Sequence, residues 1–196
     1  HVVASSGTDT YSTIATAVGS LKGSKHGGAN LYVKQMIDDI KQNCGYSDKK
    51  VLKAYLADIL AKKAGNKSGL IYGIGHAVYT LSDPRAEVLR TKAYELAKEK
   101  NLVHEYNLYY NVEQLAKEVI FEQKNIRVCA NVDLYSGFIY SMLNIPQELY
   151  TPIFAISRVA GWVAHRVEQL ITDDKIIRPA YNFVLGKKEY KDIEER

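Results

Sequence analysis

Apolar residues recur every three or four positions along most of the chain, the period of one helix face. Tyr11, Ile14, Ala15, Val18 and Leu21 form a first stripe, capped by Thr8 or Asp9 and stopped at Gly23. Val33, Met36, Ile37, Ile40 and Cys44 form a second, ended by Gly45. Leu52, Tyr55, Leu56, Ile59 and Leu60 form a third that starts at Ser47 or Asp48. Lys62 and Lys63 suit its C-terminal dipole, and Gly65 closes it. Residues 70–79 break the rhythm, because Gly73 and Gly75 sit among aromatic and β-branched neighbours, and a short extended or hairpin segment is predicted. Asp83 then reads as a cap and Pro84 as the first helical position, with Leu89, Ala93, Leu96 and Ala97 on the apolar side. Leu108, Val112, Leu115, Ala116 and Val119 mark another helix, and Asn131 caps one bearing Val132, Tyr135, Ile139 and Met142. The longest pattern runs from about Pro146 to Ile171. Leu149, Ile153, Ile156, Ala160, Val163, Val167 and Leu170 alternate fours and threes there, a coiled-coil-like seam. The predicted class is all-α, with at most a token β element.

Composition narrows the function classes. The 196 residues are 46% hydrophobic and 24% charged, enough to bury a core. The net charge of +4 is mild, and opposite charges alternate, as in Lys98-Glu99-Lys100. That describes a solvated surface and not a nucleic-acid stripe. No apolar run approaches the ~20 residues that span a membrane, and His1-Val2-Val3-Ala4 is no signal peptide. Cys44 and Cys129 form no CxxC pair or metal-ligand spacing, so no metal is expected; they read as two buried thiols of a reducing, cytoplasmic setting. The chain opens inside a patterned segment without an initiator Met, and a preceding segment is expected.

Three turns or helix starts carry candidate chemistry. His26 lies between glycines in Gly23-Ser24-Lys25-His26-Gly27-Gly28, where a substrate can approach the backbone closely. The helix start that follows disfavours an imidazolium, so a neutral, hydrogen-bonding ring is expected. His76 lies in Gly73-Ile74-Gly75-His76, upstream of Asp83-Pro84-Arg85. Arg85 in a first helical turn opposes the helix dipole and requires an anion, which a bound carboxylate would supply. Asp133 occupies the first turn after Asn131, where free N–H groups favour the carboxylate. Taken alone, Asn131-Val132-Asp133 is an ordinary helix start. Arg158 shares a face off the seam with Gly161, Trp162 and His165, and such an arginine pairs with a carboxylate of protein or ligand. His165, without glycine neighbours or a distinct partner, reads as structural.

Five segments in this order resemble the citrate synthase family: residues 21–30, Gly73 to Tyr79 with Asp83-Pro84-Arg85, Asn131 to Gly137, Thr151 to Arg158 with Gly161-Trp162, and Arg178-Pro179. The resemblance covers nearly the whole chain. It implies an all-helical fold in which residues 29–146 form a small domain. Residues 1–28 and 147–196 would belong to a large domain whose N-terminal half is absent. It implies a homodimer that condenses acetyl-CoA with oxaloacetate to citrate and CoA, needing no cofactor because acetyl-CoA is a substrate. In that scheme Asp133 removes the α-proton, His26 hydrogen-bonds the enolate oxygen and His76 protonates the ketone. Arg85, Arg158 and Arg178 clamp oxaloacetate, Arg178 reaching in from a partner subunit. Leu70, Ile71, Gly73, Gly75, Asn131 and Lys25 would contact CoA.

The sequence departs from the family pattern at three places. Ser24-Lys25 replace proline and leucine, Thr80 stands where a basic residue meets CoA phosphates, and Ala180 replaces an arginine. These are read as changes in the grip on CoA or in regulation, with Lys25 supplying charge. The isolated chain is expected to be weak or inactive, and its first and last helices to expose apolar faces. The alternatives are 2-methylcitrate synthase, which uses propionyl-CoA, and a non-catalytic helical module.

Overall fold

A computed structural model describes residues 1–23, 27–46, 48–172, 175–180, 182, 184–186 and 188–195. Among them are seven α-helices: α1 (Thr10–Leu21), α2 (Ala29–Cys44), α3 (Lys49–Leu60), α4 (Pro84–Glu99), α5 (Val103–Lys124), α6 (Val132–Met142) and α7 (Tyr150–Thr172). Short 3-10 turns cover Ala4–Ser6, Gln147–Leu149 and Ile193–Glu195. Three expected helix starts hold, while the longest helix begins at Tyr150, after the 3-10 turn Gln147–Leu149, and not at Pro146. Asp48 accepts from the Lys50 and Val51 N–H groups, Asp83 from Arg85, and Asn131 from Asp133. Pro84 occupies the first turn of α4. Residues 70–79 form no hairpin. Their β character is one antiparallel bridge, Ile74 to Ala130, because the segment pairs with the approach to α6 and not with itself.

The chain divides into a larger unit, Val18–Arg158, and a smaller one made of His1–Ala17 and Val159–Arg196. In the larger unit α5 is buried along most of its length through Leu108, Tyr109, Val112, Ala116 and Val119. It packs on α3 and α4, while α6 packs on α2 and α4. Ala86, Ala93 and Ala97 give α4 a small-residue face. At Gly137 of α6 a Cβ would lie 3.1 Å from the Asn30 carbonyl oxygen, so glycine permits the approach of α2. Glu113 is sealed in this core: it accepts from Tyr135 Oη at 2.6 Å and from Arg90 at 3.3 Å, and pairs with Lys117.

In the smaller unit the N-terminal segment packs on a polar arc of α7. Arg166, buried, donates to the Thr8 carbonyl at 2.8 Å, and Gln169 is buried beside it. The expected seam is therefore not a packed face in this chain: Ile156, Val163, Val167 and Leu170 are exposed. On α1, Tyr11 and Val18 are exposed as well, as anticipated for the first and last helices. Cys129 is buried, but Cys44 is only half-buried; burial raises both thiol pKa values. No helix is long and apolar enough to cross a membrane among the described residues.

Two tyrosines bonded to carboxylates contribute to an alkaline limit of the fold. Tyr46 donates to Glu105 at 2.5 Å and Tyr55 to Asp39 at 2.7 Å. The carboxylate contact, above all, pushes Tyr46 up to about 12; burial first and then its carboxylate do the same for Tyr55. A phenol held above its ordinary value of ~10 adds stability that is complete below that pH and lost as pH rises through the folded value. Urea-unfolding midpoints are therefore expected to fall between pH 10 and about 12. The double replacement Tyr46→Phe, Tyr55→Phe should shrink that fall, and an unchanged profile would contradict the assignment.

Candidate active site

A turn and a helix start are stitched together to present the reactive groups. Gly73 and Gly75 take φ values of 81° and 100°, left-handed conformations that favour glycine. A Cβ on Gly73 would also lie 2.9 Å from Leu134 Cα, so only glycine lets the turn rest on α6. Gly75 N–H donates to the Cys129 carbonyl at 2.7 Å, and Asn131 N–H to the Gly73 carbonyl at 2.9 Å. Asn131 Nδ2 donates to the Gly75 carbonyl at 2.9 Å, and its Oδ1 accepts the Asp133 N–H at 3.0 Å. The turn bearing His76 and the helix start bearing Asp133 thus share one backbone framework.

The framework fixes the His76 tautomer. Nδ1 accepts from the Val78 and Tyr79 N–H groups at 3.0 and 3.1 Å, so the ring carries its proton on Nε2. Nε2 lies 3.0 Å from Arg85 Nη2, which leaves two donors facing the same space. Oxygen acceptors satisfy such a pair, and neither ring nitrogen is placed to bind a cation. The anion required by Arg85 is internal. Asp83, buried, accepts from Arg85 Nε at 3.0 Å and Nη2 at 2.8 Å. The Arg85 hydrogen bonds hold the Asp83 carboxyl below its usual range against the opposing effect of burial. The sequence called for an anion beside Arg85, and Asp83 is one. A buried carboxylate now aims the guanidinium, which stays half-exposed.

His76, Arg85, Asn131, Asp133, Phe154 and Arg158 line one cavity of about 150 Å³. The Asp133 charge is felt by Arg85, where it helps to raise the pKa. The Arg158 guanidinium lies 4.8 Å from the Phe154 ring centre, a cation–π contact. Asn30 joins the cavity with its Oδ1 buried and without a partner among the described residues. Sequence reasoning passed over Asn30 and Phe154. The signal for Asn30 was a polar residue in register with Val33, Ile37 and Ile40 on the buried side of α2.

Gly27 also borders this cavity, and a Cβ there would lie 2.3 Å from the Leu21 carbonyl oxygen. Thr151 Oγ1 donates to the Gly27 carbonyl at 2.6 Å, anchoring the residue that follows His26. His26 and Lys25 themselves lie outside the described residues. Gly27 is shared with a larger apolar cavity of about 690 Å³, walled by Leu21, Leu31, Tyr32, Pro152 and Ala155. Of the remaining candidates, Leu70 is exposed, while the Ile71 side chain is buried in the core and offers a ligand only its backbone. Arg178 is an exposed residue of the smaller unit.

Imidazole, carboxylate and guanidinium groups border a small cavity, the group types that acid–base chemistry on a carboxylate-bearing ligand requires. Residues 1–180 match the family model "Citrate synthase, C-terminal domain". The chain is 40% identical over 184 residues to a citrate synthase of Synechocystis sp., covering 94% of this chain and 43% of that protein. It is 34% identical over 184 residues to a 2-methylcitrate synthase of Shewanella oneidensis, covering 94% and 44%. The solved citrate synthase of Thermoplasma acidophilum, a ternary complex with carboxymethyl coenzyme A and oxaloacetate, superposes with a TM-score of 0.74. That match has 31% identity and covers 100% of this chain and 49% of the other. The chain belongs to the citrate synthase family, and it spans about half the length of these relatives.

Proposed function

We propose that this chain supplies the condensing site of a citrate synthase, which joins acetyl-CoA to oxaloacetate and releases citrate and CoA. The observation that carries the reading is the shared cavity of His76, Arg85, Asp133 and Arg158. Asp133 takes a proton from the methyl group of the thioester. The enolate oxygen accepts a hydrogen bond from His26, a contribution of roughly 3–4 kcal/mol by analogy with other oxyanion donors. The enolate carbon then bonds to the ketone carbon of oxaloacetate, and His76 Nε2–H passes its proton to the ketone oxygen. Water hydrolyses the resulting citryl thioester.

Arg85 gives the proton transfer a direction. Before it, Arg85 Nη2 and His76 Nε2–H are two donors face to face at 3.0 Å. Afterwards the ring is an imidazolate with a lone pair on Nε2, the same contact becomes a charge-assisted hydrogen bond donated by Arg85, and the ring regains a proton as Asp133 gives up the one it took. Such an interaction favours the later state over the ground state and so accelerates the step. Arg85 and Arg158 hold the oxaloacetate carboxylates, joined by Arg178 of a second subunit in a cytoplasmic homodimer. The free thiols of Cys44 and Cys129 suit that reducing compartment. Residues 29–146 act as the small domain, and residues 1–28 and 147–196 as part of the large one. The exposed apolar faces of α1 and α7 are surfaces the remainder of the family fold would cover. The apolar cavity beside Gly27 suits the uncharged arm of the acyl thioester.

Likeness to the Shewanella oneidensis enzyme keeps 2-methylcitrate synthesis as a second reading. One methylene changes selectivity by only ~1–3 kcal/mol. Thiol release by the complete enzyme, with oxaloacetate and either acetyl-CoA or propionyl-CoA, separates them. A higher kcat/KM for acetyl-CoA is expected. The reverse ratio would assign propionyl-CoA, and no thiol release from either would overturn both.

A further inference from the structure

Away from this cavity, the smaller unit gathers two imidazoles and a carboxylate onto one point. His1 Nε2 lies 3.0 Å from His165 Nδ1 and 3.3 Å from Glu168 Oε2, and those two lie 3.2 Å apart. A tetrahedral ion with bonds of ~2.0–2.1 Å holds its ligand atoms roughly 3.3 Å apart. The three spacings approach that value together. His165 and Glu168 stand one turn apart on α7, and all three side chains are open to solvent.

The orientation of His1 is set from behind. Its Nδ1 lies 2.9 Å from Gln169 Oε1, and an amide oxygen only accepts, so Nδ1 carries the proton. Nε2 therefore turns its lone pair toward His165 and Glu168. Gln169 is buried, which holds this arrangement in place. Outer partners of this kind orient metal-binding imidazoles. As a hydrogen-bonded trio, the cluster has one His165 proton to divide between two acceptors. A divalent cation satisfies all three atoms, and the exposed His165 ring can move its proton to Nε2. The reading of His165 as a residue without a distinct partner is corrected here. His1 lies 164 positions away, so no spacing rule connects them.

We propose that His1, His165 and Glu168 bind a borderline divalent cation of the zinc class, with a fourth position for water. Two nitrogens and one carboxylate oxygen suit zinc better than magnesium or calcium. The ion fastens the N-terminal segment to α7, alongside the Arg166 contact with Thr8.

Isothermal titration of the chelator-stripped 196-residue chain with Zn²⁺ tests this. One saturable site per chain is expected. It should be lost in His165→Ala and weakened ~10–100-fold in Gln169→Ala, where the orienting contact is removed. The cobalt adduct should show intense visible bands of a tetrahedral site, absent in His165→Ala, with far-UV circular dichroism confirming that each variant folds. No saturable binding by the stripped parent chain would overturn the proposal. So would parental zinc affinity in folded His165→Ala and Glu168→Gln.

Discussion

Replacing Asp133 with asparagine in the complete enzyme is expected to lower kcat by ~10²–10⁴-fold, the range for loss of a positioned general base. The backbone framework should survive, because the Asn131 Oδ1 contact uses the Asp133 N–H and not its side chain. Arg85 keeps its Asp83 partner, so the oxaloacetate KM should stay close to its original value. Steady-state kinetics with separate kcat and KM values check the split. A kcat within ~10-fold of the parent would remove Asp133 from the role of base.

The largest structural effect is expected at Glu113. Its carboxylate ties α5 to Tyr135 of α6 and Arg90 of α4, and also pairs with Lys117 along its own helix. Glu113→Ala leaves the Tyr135 hydroxyl without its acceptor beside an emptied, buried position, and leaves Arg90 with Glu87 as its remaining carboxylate. Breaking a buried pair in this way costs ~3–5 kcal/mol. A protein that is stable by only ~5–15 kcal/mol would lose a large part of that. Urea unfolding of the parent and variant measures it. Tyr135→Phe, which removes a single hydrogen bond, should cost ~1 kcal/mol. Equal losses in the two variants would contradict the network.

The features legible in the sequence are local ones. Asp48, Asp83 and Asn131 cap helices through their own neighbours, so composition within four residues sufficed to place the starts of α3, α4 and α6. Gly73 and Gly75 stood out because their backbone needs φ values that other residues avoid. Of the residues for which the resemblance implied chemistry, His76, Arg85, Asp133 and Arg158 line one cavity, while His26 lies outside the described residues and Arg178 belongs to the smaller unit. What escaped depends on pairings between distant segments. Nothing near Glu113 in the sequence singles it out; its burial depends on Tyr135 and Arg90, which lie on other helices. The seam on α7 was legible as a period, but periodicity does not say what a face packs against. In this chain the polar arc with Arg166 and Gln169 is buried instead. Asp83 was legible as a cap, while its second task of aiming Arg85 was not, because cap spacing concerns the Arg85 N–H and is silent about the Arg85 side chain.

A crystal structure of the complete enzyme with oxaloacetate and an unreactive acetyl-CoA analogue bears most directly on the shared cavity. The oxaloacetate carboxylates should contact Arg85 and Arg158, with the ketone oxygen within hydrogen-bonding reach of His76 Nε2. The Asp133 carboxylate should face the carbon that stands for the thioester methyl group. Oxaloacetate bound elsewhere, with His76 and Asp133 both out of its reach, would contradict the account.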